Sequence, residues 1–328
     1  MLPMGARHPN RWASIHNEKW PTGMDMAEQR IQEHDVQHIG KVVAKWHQGG
    51  YFDRIMGAGP ALARVQAFVL ACAGEGVGAA SASALQRPEY PLFPGLRHRP
   101  WHNAQDYAAV RLLEAACPAI RAEALQLAEA ATLDYSAAVK SAHGPGTWTV
   151  YLLSHMGVDV EGVRGSCPQT AAVLRALPGQ CAAYPWGDML FSAMGAHSQL
   201  QPHCSIDNLR VRIHLGLSVP DGCALRVGEE TRAWTEGRCL VFEDSFEHEV
   251  WNLSDQRRIV LIADLWHPEL TEIETQALSA GFCKSEVRRI FMGDRLGMTQ
   301  APQAYLSHIE AALVRQDQDP VIQHYWGG

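Results

Sequence analysis

From Met189 to Trp266 the chain is divided into short apolar or alternating runs: MLFSAM, NLRVRIHLGLSV, CALRVG, TRAW, CLVF, HEVWNL and RRIVLIADLW. Turn-forming clusters separate them, among them Pro220-Asp221-Gly222, Glu236-Gly237 and the stretch from Asn252 to Asp255. Seven strand candidates in about 80 residues leave no room for a helix between successive strands. That excludes a βαβ architecture and predicts an antiparallel sandwich or barrel.

The flanks read differently. MDMAEQRIQEHDVQHIGKVVAKWH, from Met24 to His47, repeats apolar residues at helical spacing, and Gly49-Gly50 should stop it. A second helix is expected over Pro60 to Ala73. A connector rich in Gly, Ser and Pro follows (GEGVGAASASALQRPEYPLFPGLRHRP). A third helical block runs from Asn103 to about Ala131, with Pro118 expected to break or kink it. TWTVYLL has strand character, and Cys167 to Leu177 should be a short helix with Pro168 in its first turn. After His267-Pro268 the pattern returns to helices in ELTEIETQALSAG, SEVRRIFMGDR and APQAYLSHIEAALVRQ. The expected organisation is an extended arm over 1–24, a helical region over 25–133, a β core over 134–270 and C-terminal helices over 271–328. The fold class is therefore mixed α+β.

Composition bounds the function. Charged residues are 19% of the 328, hydrophobic residues 47%, and the net charge is −7. No basic stripe offers a footprint for nucleic acid. No apolar run is long enough for a transmembrane helix, and MLPMGARHPNRW has no apolar signal core, so a cytoplasmic protein is expected. The eight cysteines form no CxxC and no zinc-ribbon spacing, which predicts reduced, mostly buried thiols. Cys204 should be a core thiol facing away from its neighbour His203.

Within the β region, His203 and His248 lie on strand-like segments and Arg258 follows ten residues after the second. Two imidazoles and a guanidinium in that order suit a metal and a dicarboxylate. Neutral imidazole binds iron, zinc, copper and nickel alike, so the pair does not name the ion. The carboxylate that often completes an iron site two positions after the first histidine is here Ser205. Asp207 would lie about 13 Å along an extended strand from His203, too far to be a ligand. Glu243, Asp244, Glu247 and Glu249 read as a turn of solvated acids, one of them orienting His248, with Asp244 and Asp264 structural. His102, His143, His197 and His267 show no ligand spacing to one another, and the tryptophans read as core or pocket wall.

RVRIHLGL at 210–217, FEDSFEHEVWN at 242–252 and DLWHPEL at 264–270 are long, unusual strings. They resemble the aspartyl/asparaginyl β-hydroxylases, which are Fe(II)- and 2-oxoglutarate-dependent oxygenases. The likeness is strong from about Met189 to Leu270 and visible upstream at PGLRHRPWHN and after Trp148. The resemblance implies a double-stranded β-helix (jelly-roll, cupin-like) core. It implies Fe(II) on His203 and His248, with water where other families supply a carboxylate. By position, Arg258 and Ser192 would bind the distal carboxylate of 2-oxoglutarate, and Arg212 and His214 would line the cosubstrate side. Arg210, on the same strand face as Arg212, is a candidate anchor for a substrate carboxylate. The implied reaction uses O2, decarboxylates 2-oxoglutarate to succinate and hydroxylates an aspartate- or asparagine-like β-carbon.

His143 stands where family members acting on epidermal-growth-factor-like domains carry an arginine that grips the substrate, and is a candidate substrate-binding residue. The change favours a smaller partner: a free amino acid, an aminoacyl group on a carrier protein, or a peptide natural product. Two alternatives remain. The open position at Ser205 could hold chloride and direct halogenation, or the chain could be a non-catalytic cupin-like metal-binding protein.

Overall fold

The computed structural model describes residues 38–129, 136–137, 146–292 and 303–326. The expected arm over 1–24, the start of the first helix and His143 lie outside these residues. The strands are β1 (Trp101–His102), β2 (Ser136–Ala137), β3 (Trp148–His155), β4 (Val158–Asp159), β5 (Met189–Met194), β6 (Ser198–His203), β7 (Arg210–Ser218), β8 (Cys223–Val227), β9 (Glu230–Arg232), β10 (Cys239–Phe242), β11 (His248–Asn252) and β12 (Arg258–Trp266). The helices are α1 (38–48), α2 (Tyr51–Met56), α3 (Ala63–Cys72), α4 (Ala108–Glu129), α5 (Glu161–Ser166), α6 (Pro168–Arg175), α7 (Glu272–Cys283), α8 (Ser285–Met292), α9 (Gln303–Gln316) and α10 (Pro320–Trp326).

Two antiparallel sheets form the β core. One runs β1-β10-β7-β12-β5-β3-β2, with β4 on β3; the other runs β6-β11-β8-β9. Following the chain from β5 to β12, strands alternate between the sheets except for the β8–β9 hairpin. That is the winding of a double-stranded β-helix. Val211, Ile213, Leu215, Leu225, Val241, Val260 and Leu261 are among the residues that form the main apolar cluster, on which α4 also packs.

A second apolar cluster joins the first helices to the last. Trp46, Tyr51, Phe68, Phe282 and Trp326 are buried together in it. The indoles of Trp46 and Trp326 donate to the carbonyls of Gly281 and Ala280, both at 2.7 Å. A Cβ on Gly49 would stand 2.4 Å from the Trp326 ring, so the glycine that ends α1 also admits the last helix. Thr271 and Glu274 form a capping box that starts α7.

Several elements differ from expectation. Pro118 lies inside an unbroken α4, whose buried face of Val110, Leu113, Cys117, Ile120 and Leu127 outweighs the missing hydrogen bond. TRAW contributes only the tail of β9, and Trp234 lies beyond it in irregular backbone. SQLQPH is not one of the seven apolar runs, yet it forms β6 and so carries His203 on a strand as expected. Across from Glu249, β6 places both Gln201 and Pro202, because the register runs His248↔His203 and then Val250↔Leu200. This bulge accommodates the proline, which has no N–H for the ladder. No helix among the described residues is long and apolar enough to cross a membrane.

Candidate iron and 2-oxoglutarate site

His203 and His248 face each other across β6 and β11, with ring centroids 4.2 Å apart. Each ring is oriented in the same way. His203 Nδ1 lies 2.7 Å from the Gln201 carbonyl and His248 Nδ1 lies 2.9 Å from the Phe246 carbonyl. A carbonyl can only accept, so Nδ1 carries the proton and Nε2 keeps its lone pair. The bulge at Gln201-Pro202 supplies one of these carbonyls. Burial lowers both pKa values; for His248 burial and the neighbouring His203 bring it to about 3. Two neutral imidazoles with adjacent free lone pairs fit a divalent transition metal.

Arg258 opens β12 and is 1% exposed. It has no acidic partner among the described residues. Its Nη1 makes only long contacts to Ser192, 3.3 Å to the carbonyl and 3.4 Å to Oγ, and its Nε has no partner there. Burial brings its pKa down to about 10, as expected for a cation without a counter-ion. The guanidinium lies 4.7 Å over the Trp234 ring. His214 stacks on that indole at 13°, buried, with both ring nitrogens unpartnered among the described residues. Burial, followed by the charges of Arg212 and Arg258, keeps His214 well below its usual pKa. Ser192 Oγ accepts from the Trp148 indole at 2.9 Å. Buried donors without partners are costly. A cation and a set of orphaned polar atoms in one apolar wall fit the carboxylate of a bound ligand.

Arg210 and Arg212 belong to a separate network of ion pairs. Arg212 is held bidentately by Asp264, which lies directly across from it on β12, at 2.8 and 2.7 Å. Arg210 contacts Asp207 at 3.4 Å, Asp244 at 3.2 Å and Asp264 at 3.1 Å. It also donates to the hydroxyl of Ser205, whose own N–H donates to the Asp244 carbonyl at 2.7 Å. Arg210 is therefore enclosed by acids, which corrects the expectation that it anchors a substrate carboxylate. Asp207 lies beyond the end of β6 and is paired with Arg210 and Tyr184, so it is not a ligand, though not for the reason of strand distance.

The acids of 243–249 are not a solvated turn. Glu243 and Asp244 are fully buried, and His248 is oriented by a backbone carbonyl instead of a carboxylate. Glu243 accepts the Arg99 N–H at 2.9 Å and faces His98 at 3.1 Å, His102 at 3.0 Å and His267 at 3.7 Å. His102, Glu243 and His267 offer ligand atoms within 4.8 Å of one another. The tautomers argue against a second metal there. His267 Nδ1 accepts the Glu269 N–H, and His98 Nε2 accepts from Asn208, whose Oδ1 is fixed by the Phe93 N–H. Both rings thus turn protons, not lone pairs, towards Glu243. The cluster is a carboxylate held by imidazole donors, and it fixes the turn that carries His248. Sequence spacing could not show it, because its members come from three distant segments. Cys204 is half-buried beside the Leu85 carbonyl, less enclosed than expected, and all eight cysteines are free.

Strand order defines a double-stranded β-helix protein, and its paired histidines fit a metal. Comparison gives a likeness: residues 114–268 match the model for aspartyl/asparaginyl beta-hydroxylase. The chain is 34% identical over 203 residues to aspartyl/asparaginyl beta-hydroxylase of Mus musculus, covering 61% of this chain and 27% of that one. It is also 34% identical over 206 residues to aspartate beta-hydroxylase domain-containing protein 2 of Mus musculus, covering 60% of each. The chain thus spans between about a quarter and three-fifths of the length of these relatives. Likeness to solved structures is remote. AviO1 from Streptomyces viridochromogenes superposes at a TM-score of 0.33 with 11% identity, over 50% of this chain and 96% of that one.

Proposed function

We propose that this chain is an Fe(II)- and 2-oxoglutarate-dependent oxygenase that hydroxylates the β-carbon of an aspartate- or asparagine-like substrate. The observation that carries the reading is Arg258, a buried guanidinium with no acid to neutralise it, on the same indole as the unpartnered His214 and in the same barrel as the paired histidines. His203 and His248 would hold the metal through Nε2. Iron bound there supplies oxygen activation, with 2-oxoglutarate losing carbon dioxide to become succinate.

The protein's own contribution is binding and orientation. Arg258 and Ser192 would receive the distal carboxylate of 2-oxoglutarate, a role that suits a planar guanidinium fork better than an ammonium. Trp234 holds the His214 ring nearly parallel to its own face and carries the Arg258 guanidinium 4.7 Å over it. The apolar wall around Arg258 keeps water from competing for it, which strengthens each charged contact. Arg212 is fixed in place by its bidentate pairing with Asp264. Ser205 is held by Arg210 and brings no charge to the metal, so a neutral ligand such as water would complete coordination.

The test is to supply Fe(II), 2-oxoglutarate and O2 with L-aspartate or L-asparagine, and to read succinate and substrate mass. Succinate formation matched by gain of one oxygen in the amino acid is expected. Absence of succinate in protein shown to bind iron contradicts the reading.

A further inference from the structure

A cleft of about 660 Å³ is lined by residues of β4, α5, α6 and α9. Met189 borders it from the first position of β5, whereas Arg258 pairs with Met194 at the last. The length of that strand, about 17 Å, lies between the cleft and the carboxylate site at Arg258. The cleft shares no residue with the paired histidines or with the wall around Arg258.

Three guanidiniums border it from three helices: Arg164 from α5, Arg175 from the end of α6 and Arg315 from the last turn of α9. Arg164 is 8% exposed, yet only part of its donor set is used. Its Nη1 pairs with Asp159, its Nη2 makes a long contact of 3.4 Å to the Ala171 carbonyl, and its Nε has no partner among the described residues. Arg175 and Arg315 are exposed and make no side-chain hydrogen bond or ion pair among the described residues. Arg175 stands close enough to Arg164 for its charge to add to burial in lowering the Arg164 pKa, so like charges are gathered at one place. Three acids also border the cleft, but two are engaged. Asp159 is the partner of Arg164, and Asp319 Oδ1 accepts the Val321 N–H at 2.8 Å where α10 starts. Glu161 is exposed in the first turn of α5. A buried donor without a partner calls for an acceptor. A carboxylate offers two oxygens in one plane. Guanidiniums arriving from three helices need acceptors in more directions, and the three terminal oxygens of a phosphate ester provide them. The lining also includes the buried apolar side chains of Val158, Leu174, Met189 and Ala312, which suit a carbon skeleton.

We propose that this cleft binds a small organic phosphate, with the phosphate held by Arg164, Arg175 and Arg315 and the carbon skeleton against the apolar side chains. The proposal is independent of the reading of the histidine centre. Titration calorimetry of the unaltered chain with phenyl phosphate, inorganic phosphate and benzoate, in a phosphate-free buffer, tests it. Phenyl phosphate is expected to bind at least about tenfold more tightly than either, because inorganic phosphate lacks the apolar body and benzoate lacks the second charge. Arg175→Ala and Arg315→Ala, at exposed positions, are each expected to weaken its binding about tenfold, the scale of one charge-assisted hydrogen bond. Arg54→Ala, which removes an exposed arginine of α2 that does not border the cleft, is expected to leave the affinity unchanged. No binding of phenyl phosphate, binding no tighter than that of inorganic phosphate or benzoate, an affinity unchanged in Arg175→Ala or in Arg315→Ala, or an equal loss in Arg54→Ala would overturn the proposal.

Discussion

Residues of one type take different roles here according to what surrounds them. Arg210 and Arg258 are buried in the barrel and Arg212 is half-buried, yet of the three only Arg258 lacks an acid among the described residues. The sequence marks all three as candidates but cannot rank them, because the acids that enclose Arg210 come from a loop, a turn and a neighbouring strand. Trp234 is the less obvious partner, serving Arg258 and His214 at once. Trp234→Leu removes the cation–π contact and the stacking surface while keeping an apolar wall. It is expected to weaken 2-oxoglutarate binding about tenfold, roughly 1.4 kcal/mol, measurable by titration.

Among the elements, the strands that bury an alternating or continuous apolar face were legible. MLFSAM matches β5, and RVRIHLGLS and RIVLIADLW match β7 and β12. β6 is legible only through the strand-like setting of His203, since Ser-Gln-Leu-Gln-Pro-His has no β-branched residue and includes a proline. Only pairing with β11 makes it a strand, and it carries His203. The turn from Glu243 to His248 reads as solvated from sequence because four acids in seven residues ordinarily seek water. Here Glu243 is buried, and although burial pushes its carboxyl up, the hydrogen bonds with His102, His98 and the Arg99 N–H, with His267 close by, hold it well below the usual carboxylate range. The folded pKa lies below the unfolded value of about 4.3, so the stabilisation is complete above that pH and is lost as pH falls below it. Glu243→Gln, which keeps the shape but removes the charge, is expected to cost roughly 2–4 kcal/mol at neutral pH. It should also flatten the acid limb of a stability–pH curve measured by urea unfolding. An acid limb unchanged in the variant would show that Glu243 is not the group being titrated.

At the scale of the described chain from residue 38 onward, the β core and the helical cluster are separate apolar assemblies. The first helices meet the last through Trp46, Tyr51, Phe282 and Trp326. The periodic patterns of α1, α3, α7 and α9 were readable, but the joining of chain ends was not, because it depends on Gly49 leaving room for an indole from a helix more than 270 residues away. Trp326→Ala empties that contact and is expected to destabilise the fold by about 3–5 kcal/mol. Because the tryptophan lies in the helical cluster, 2-oxoglutarate affinity at low temperature should not change. The account as a whole rests on a metal held by His203 and His248 next to a carboxylate site at Arg258. The most direct measurement is calorimetric titration of 2-oxoglutarate under anaerobic conditions, with and without Mn(II), into the unaltered chain and into Arg258→Ala. Binding that requires the metal and weakens about a hundredfold in the variant, some 3 kcal/mol for a buried charged pair, is the predicted result. Equal affinity in Arg258→Ala, or binding indifferent to the metal, would contradict it.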